Sequence, residues 1–277
     1  MSNIQRTIYS GHLGTCKMLN RPFSILPNST LNQKFNVHPT EVPAINEYPI
    51  IGYLGIGNKG AYYETTTSGY VLTTPTPHLP RHSSLYNFIP FVIRPISDDI
   101  SSTERMKYRM RVPITIEGTT YVAYYLRALS IGEVIPTVEL RNVDGENISA
   151  TSFSPSLSDL APEPPVISSV DLNNPNGDYL VSTAKINFTL NQTDINNIME
   201  ACSILYGDPR YAVINEIALC SGLDKVLPGT FGTVTSNYVD TIATQVAAFI
   251  SQYHALTSSS TEVNIQFDLG STEALLV

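Results

Sequence analysis

Two pairs of side chains in this sequence have a spacing that metal ligands often show. His78 and His82 are four residues apart, and so are His12 and Cys16. Pro80 stands between the two histidines and prevents the helix that would align them, and no acidic ligand lies near either pair in sequence. The spacing therefore predicts no metal site.

A glycine pattern, Gly55-Ile-Gly57-Asn-Lys-Gly60, follows an apolar run and matches the dinucleotide-binding fingerprint. That fingerprint needs a helix directly after it and an acidic residue about 20 positions on. The following residues, AYYETTTSGYV, are poor helix formers, and no Asp or Glu occurs between Glu64 and Asp98. The pattern therefore predicts a glycine-rich turn between strands. No nucleophile elbow is present either, so we expect no catalytic residues and no cofactor.

The composition indicates a globular protein with an unusually uncharged surface. Among 277 residues, 42% are apolar and only 14% are charged, against about 25% charged residues in a typical domain. The net charge of −8 argues against a general nucleic-acid binder. No apolar run is long enough to span a membrane and no signal peptide is evident, so we expect synthesis in the cytoplasm and three buried, reduced cysteines.

The elements that would position these residues are predominantly strands. We predict a mainly β, α+β fold with antiparallel sheets or a sandwich, and two main helices at about 193–206 and 237–256. Hairpins are predicted at 112–129 and 134–151, the latter with an Asp144-Gly145 turn, and a strand at 165–172. The predicted organisation is an extended N-terminal arm (1–47), a β-rich domain (48–152), a Pro/Ser-rich linker (153–165) and an α+β domain (166–277).

Charge is divided unevenly along the chain. Residues 1–130 contain 12 Lys/Arg and 7 Asp/Glu, whereas residues 131–277 contain 4 and 17. Such a division suits head-to-tail packing of copies, although charges that segregate in sequence can also mix in space. The predicted helix at 237–256 has an almost uncharged outer face, which fits either a surface helix of a charge-poor protein or a helix that a neighbouring subunit covers. The candidate interface residues are Arg105, Lys107, Arg109 and Arg111 on one strand face, Thr241, Gln245 and Gln252 on that helix, and Leu275 and Leu276 at the apolar end.

Three stretches carry a resemblance to a known class of proteins. They are HSSLYNFIPFVIRPISDDISSTERMKYRMR (82–111), YGDPRYAVINEIALCSGLDK (206–225), in which a strand leads into a Ser-Gly-Leu-Asp turn, and the ending VNIQFDLGSTEALLV (263–277). With them the chain resembles virion structural proteins of contractile-tailed bacteriophages. The resemblance implies a non-enzymatic, ring-forming part of the neck or baseplate, present in several copies per virion. Its implied partners are copies of itself and other phage neck, tail or baseplate proteins.

Three classes of function follow from the sequence. The leading hypothesis is a structural assembly protein of a phage particle, made in the host cytoplasm and located in the virion, whose N-terminal arm and tail (270–277) become ordered on assembly. The alternative is a glycan- or cell-surface-binding fibre or adhesin module, which the Thr/Asn/Tyr-rich loops would suit. The third is an enzyme without a recognisable motif, which would need acidic or histidine residues converging in a pocket.

Overall fold

The computed structural model describes residues 3–69, 71–144, 147–163, 178–231 and 234–275. The strands are β1 (Asn3–Arg6), β2 (Ile50–Gly57), β3 (Ala61–Thr65), β4 (Val71–Pro75), β5 (Phe88–Ile89), β6 (Val92–Pro95), β7 (Tyr108–Ile116), β8 (Thr119–Ala128), β9 (Thr137–Asp144), β10 (Asn147–Ser152), β11 (Asp178–Asn191), β12 (Val213–Phe231), β13 (Val234–Ala255) and β14 (Glu262–Ala274). The α-helices are α1 (Ile8–Met18), α2 (Leu31–Phe35), α3 (Ser102–Arg105), α4 (Leu157–Leu160) and α5 (Gln192–Tyr206).

Antiparallel sheets dominate the fold, which confirms the predicted mainly β, α+β class. The large sheet has the order β1-β13-β12-β2-β8-β6, with β5 paired to β2 and β7 paired to β8. A second sheet has the order β10-β9-β11-β14, and β3 pairs with β4. Helix α5 confirms the helix predicted at 193–206; Asn191 caps its start and Gly207, with φ of 74°, ends it.

The chain divides into two compact units at positions other than the predicted domain boundaries. Unit 1 comprises residues 1–130 and 190–263, and unit 2 comprises residues 131–189 and 264–277. The Pro/Ser-rich segment 153–165 lies inside unit 2 and does not separate two domains. Each unit is built from segments distant in sequence, because strand pairing joins them, and a linear pattern of turn residues does not reveal such a division.

The N-terminal region is not an extended arm, as the sequence predicted, but folds against its own chain. Strand β1 pairs with β13, and the Thr7 hydroxyl donates to the Val246 carbonyl at 2.6 Å. Thr30 and Gln33 form a capping box at the start of α2. Helices α1 and α2 are short and lack a long period of apolar residues. Only their capping residues therefore indicate them in the sequence.

The helix predicted at 237–256 is wrong, because this segment is strand β13. Residues 240–251 are buried without interruption. A strand covered on both faces shows no alternation of polar and apolar side chains. Its apolar residues, such as Ile242, Val246, Phe249 and Ile250, then fall at spacings of three and four that imitate a helix face.

The other strand predictions have mixed outcomes. The hairpin at 112–129 is confirmed as β7 and β8, and β9 with β10 confirms the strands of the second hairpin. The Ser-Gly-Leu-Asp turn at 221–224 is wrong, since β12 continues through it with a register shift between Ser221 and Leu223. The tail at 270–274 belongs to β14. Gly145 and the strand predicted at 165–172 lie outside the described residues.

A stabilising substitution is expected at the turn between β7 and β8. Ile116 pairs with Thr119, and the two turn residues Glu117 and Gly118 have φ of 48° and 81°. This is the type I′ geometry, in which Asn is favoured at the first position. We expect Glu117→Asn to raise the free energy of unfolding by about 0.5–1 kcal/mol, measured by urea unfolding. Glu117→Ala keeps the strained φ and should not raise the free energy of unfolding. An equal increase in Glu117→Ala would show that relief of the φ strain does not cause the stabilisation.

Candidate functional site

The most unusual surface feature is a two-stranded ribbon at the end of β12 and β13. We call residues 226–231 and 234–239 the ribbon; its register runs from Val226↔Val239 to Phe231↔Val234. Residues 226–239 contain no Asp, Glu, Lys or Arg. Among the described strands, β2 pairs with β12 only as far as Gly222 and β1 pairs with β13 only at 248–251, so the ribbon has no third strand. A two-stranded hairpin alone in water is at best marginally stable.

The β12 side of the ribbon's base is fixed by Asp224. Arg109 donates to both carboxylate oxygens at 2.7 Å, and the Tyr53 hydroxyl donates to Oδ1 at 2.6 Å. Burial opposes ionisation of Asp224, but these hydrogen bonds and the Arg109 charge outweigh it and lower its pKa. Because Arg109 binds both carboxylate oxygens of Asp224, this contact fixes the orientation of β12 as well as its position.

The β13 side of the base is fixed by Asp240, which is fully buried. Its carboxylate accepts from the backbone N–H groups of Met110 (2.6 Å), Arg111 (3.3 Å) and Thr241 (2.8 Å). Met110 has φ of 57°, a conformation that is unfavourable for a side chain with a Cβ and turns consecutive N–H groups of β7 toward the carboxylate. Burial raises the pKa of Asp240, and the hydrogen bonds offset only part of this effect. We call the Asp224 and Asp240 contacts together the clamp.

The predicted basic stripe does not form a shared solvent face. Arg111 is 3.0 Å from the Asp99 carboxylate and Arg105 is 3.7 Å from the same oxygen, while the Tyr124 hydroxyl donates to the other oxygen at 2.8 Å. Side-chain exposure is 3% for Arg111 and 18% for Arg105. With Arg109 in the clamp, only Lys107 of the four is exposed. The prediction of these arginines as interface residues is wrong, because carboxylates of the same chain pair with them: Asp99, 12 positions from Arg111, and Asp224, 115 positions from Arg109.

Two predicted interface residues of β13 are covered by the protein's own N-terminal region. The Thr241 carbonyl accepts from the Asn32 side chain at 2.8 Å, and the Gln245 side chain donates to the Ser29 hydroxyl at 2.7 Å. Thr241 and Gln245 are fully buried, so their prediction as interface residues is wrong. The uncharged face that the sequence assigned to a neighbouring subunit is filled by Ser29 and α2.

Three predicted interface positions remain open. Lys107 is exposed, and Gln252 and Leu275 are half-buried. The Gln252 Nε2 atom is buried without a hydrogen-bond partner among the described residues. Leu275 donates its backbone N–H to the Asp178 carbonyl. Leu276 lies outside the described residues.

The charge division along the sequence is largely neutralised within unit 1. Three ion pairs join a basic residue of the first half to an acidic residue of the second half: Arg109–Asp224, Arg127–Asp194 and Arg94–Glu200. Unit 1 contains 14 Lys/Arg and 14 Asp/Glu, whereas unit 2 contains 2 and 10. Within unit 1 the net charge of residues 190–263 therefore offsets that of residues 1–130, and the whole net charge of −8 belongs to unit 2.

A second polar site is centred on Glu216 of β12 and includes the His78–His82 pair. The Glu216 carboxylate is fully buried and accepts backbone N–H groups from Lys59 (3.3 Å), Tyr86 (3.0 Å) and Asn87 (3.0 Å). The His78 Nε2 atom lies 2.9 Å from it. The two carboxylate oxygens of Glu216 are therefore the acceptors that hold the backbone at Lys59, Tyr86 and Asn87.

The two histidines do meet in space, although no helix aligns them. Their Nδ1 atoms are 3.3 Å apart, and the buried His78 ring stacks between Phe249 (3.8 Å between centroids) and Tyr86 (4.3 Å). Two glycines of the dinucleotide-like pattern explain how the backbone reaches Glu216. A Cβ at Gly57 or Gly60 would lie 2.6 Å from an atom of the Glu216 side chain. The pattern therefore leads through a glycine-rich turn between β2 and β3, as predicted, and the close approach of its backbone to Glu216 marks this site.

The chain belongs to a family of unknown function (DUF7208), whose family model matches residues 1–277. No curated protein and no solved structure matches it. In this member of the family Cys16, Cys202 and Cys220 are free and buried, which confirms the predicted thiols, and burial raises the pKa of Cys202 to about 12. None of the described helices has the length and apolarity to cross a membrane. Across the same described ranges, no three or more His, Cys, Asp or Glu residues are grouped to hold a metal ion.

Proposed function

We propose that this protein is a structural assembly protein of a contractile-tailed phage particle, forming a multi-copy ring in the neck or the tail baseplate. The ribbon carries this proposal. The 14 residues of the sequence from 226 to 239 are uncharged. The ribbon's edges have no third strand among the described residues, and the clamp holds both of its strands at the base. In this role the protein needs no catalytic residue and no cofactor.

A ribbon of this kind is suited to contact between copies. Burial of an uncharged surface does not require ions to lose their hydration, which is the main cost of burying charge. Val226 is 68% exposed, and Thr230, Thr235 and Asn237 are exposed as well. Contact with a second copy or a neighbouring protein would supply the packing that a lone two-stranded hairpin lacks.

An inserted ion pair tests the ribbon. Thr230 and Thr235 are exposed cross-strand partners, so Thr230→Lys with Thr235→Glu places opposite charges directly opposite each other and should keep the hairpin intact. We expect a dissociation constant for self-assembly about 10- to 1000-fold weaker, because burying an ion pair in place of apolar contacts costs about 1–4 kcal/mol. Native mass spectrometry and sedimentation measure the assembly.

The matched control puts the same charges on another hairpin. Thr115 and Thr120 pair across β7 and β8 near the turn, so Thr115→Lys with Thr120→Glu should assemble like the wild type. A wild type that stays monomeric at every concentration would contradict self-assembly, and a ribbon variant that assembles normally would exclude the ribbon as the interface. Quantitative mass spectrometry of purified particles should find several copies of the protein per virion.

A glycan-binding role is the second candidate, and one groove favours it. The groove has a volume of about 610 Å³ and lies between the β7–β8 turn and the end of α5. Tyr121 and Tyr206 line it together with the polar residues Glu117, Thr119 and Ser203. Aromatic faces beside hydrogen-bonding groups suit sugars. Binding on a glycan array that Tyr121→Ala abolishes would support this role, and no binding by the wild type would exclude it.

A further inference from the structure

Residues 78–82 form a turn whose ends are joined by the two imidazole rings. The His82 backbone N–H donates to the Leu79 carbonyl at 2.9 Å. The His82 Nδ1 atom accepts the Leu79 N–H at 3.3 Å and also lies 3.3 Å from the His78 Nδ1 atom. The conformation of this turn therefore depends on which nitrogen atoms carry protons.

The hydrogen-bond partners assign the proton of His82. The Glu216 carboxylate lies 2.9 Å from His78 Nε2, and the Leu79 N–H requires a lone pair on His82 Nδ1. The His82 ring then carries its proton on Nε2, and its Nδ1 lone pair lies on the side of the Leu79 N–H and the His78 ring.

The apex of the same turn holds the N-terminal region of the chain. The Pro80 carbonyl accepts the Ile8 N–H at 2.9 Å, and the Arg81 carbonyl accepts the Tyr9 hydroxyl at 2.7 Å. Ile8 is the first residue of α1, where backbone N–H groups have no partner within the helix. Thr7 joins this start to β13 by donating its N–H to the Ala247 carbonyl. Movement of the apex therefore removes acceptors from the start of α1.

We propose that the 78–82 turn is an acid-sensitive latch, which opens when His82 is protonated on Nδ1 and thereby releases β1 and the start of α1. The new proton removes the acceptor of the Leu79 N–H. It also places a positive ring against the buried His78 ring and next to Arg81 in sequence. Both effects act against the closed turn and favour the open one. The latch works within one chain, so it stands apart from the assembly role.

The charges around His82 set the direction of the pH dependence. Arg81 and Tyr86 neighbour it on its own segment, Glu216 of β12 lies behind His78, and Tyr9 of α1 packs on the apex. Burial, His78 and Arg81 lower the pKa of His82 from its usual value of 6.5. His82 therefore binds a proton less tightly in the closed state than in the open state. The stability of the closed state consequently falls as the pH decreases below about 6.5.

Hydrogen exchange measured on the full chain at pH 7.5 and pH 5 tests the latch. After correction for intrinsic exchange, protection of the Thr7 and Ile8 amides should fall by roughly tenfold per pH unit in the window where only the open state binds the proton. His82→Asn keeps an acceptor near the Nδ1 position but cannot titrate, so its protection should not change with pH. His254→Asn, a half-exposed histidine on β13, should respond like the wild type.

Two results would overturn the latch. One is wild-type protection that stays constant between the two pH values, and the other is a His82→Asn variant that responds like the wild type. Circular dichroism checks that the variants fold. Nitrogen-15 NMR of the wild type at pH 7.5 provides a measurement without mutation: Nε2 of His82 should carry the proton, and a proton on Nδ1 instead would also refute the proposal.

Discussion

Asp240→Ala is expected to lower the free energy of unfolding by about 3–5 kcal/mol, since the variant leaves three buried backbone N–H groups without an acceptor. The N–H groups of Met110 and Arg111 face the carboxylate only because the backbone takes a positive φ at Met110, so the loss also removes what stabilises this conformation. Urea unfolding measures the effect. Hydrogen exchange at residues 238–241 should report loosening of the ribbon's base.

Two variants separate the causes of this loss. Asp240→Asn keeps one acceptor oxygen and should lower the free energy of unfolding clearly less than Asp240→Ala.

Burial raises the pKa of Asp240, so the folded state holds the proton of this carboxyl group more tightly than the unfolded state does. The contribution of Asp240 to stability therefore falls as the pH rises above about 4. The difference in the free energy of unfolding between wild type and Asp240→Asn should therefore be larger at pH 5 than at pH 8. Asp98→Ala, at an exposed aspartate, should change little, and an equal loss there would contradict the clamp.

Glu216→Ala should have a similarly large effect on unit 1. The substitution removes the acceptor of three backbone N–H groups and leaves His78 buried without its carboxylate partner. Removing one member of a buried pair costs about 3–5 kcal/mol. For a unit of this size we expect the melting temperature to fall by roughly 10 °C or more, measured by circular dichroism.

The controls for Glu216 use the same reasoning. Glu216→Gln retains one oxygen for the Lys59 and Asn87 N–H groups. Its melting temperature should fall by less than half as much as that of Glu216→Ala. Glu41→Ala, at an exposed glutamate, should leave the melting temperature within a degree or two of wild type. A wild-type melting temperature in Glu216→Ala would show that the Glu216–His78 pair does not hold the 78–82 turn.

Local sequence patterns were sufficient wherever an element is defined by its own neighbours in the chain. Helix α5 has a cap, one apolar face and a terminal glycine, and the β7–β8 hairpin has strong strand formers on either side of Gly118. The glycine pattern at 55–60 was predicted to be a turn between strands from the residues that follow it, and β2 and β3 flank it. In each of these cases the physical cause lies within about 20 residues.

Tertiary structure decided the parts in which a residue's partner is distant in sequence. Glu216 is 138 positions from His78, and Arg109 is 115 positions from Asp224, so no spacing rule predicts either contact. Strand β13 resembled a helix because the fold covers both of its faces and removes the alternation that identifies a strand. The sequence by itself determined the mainly β class and the scarcity of charge. Only the fold decided that most of the arginines pair with carboxylates of their own chain and that residues 226–231 and 234–239 of the uncharged stretch form a ribbon.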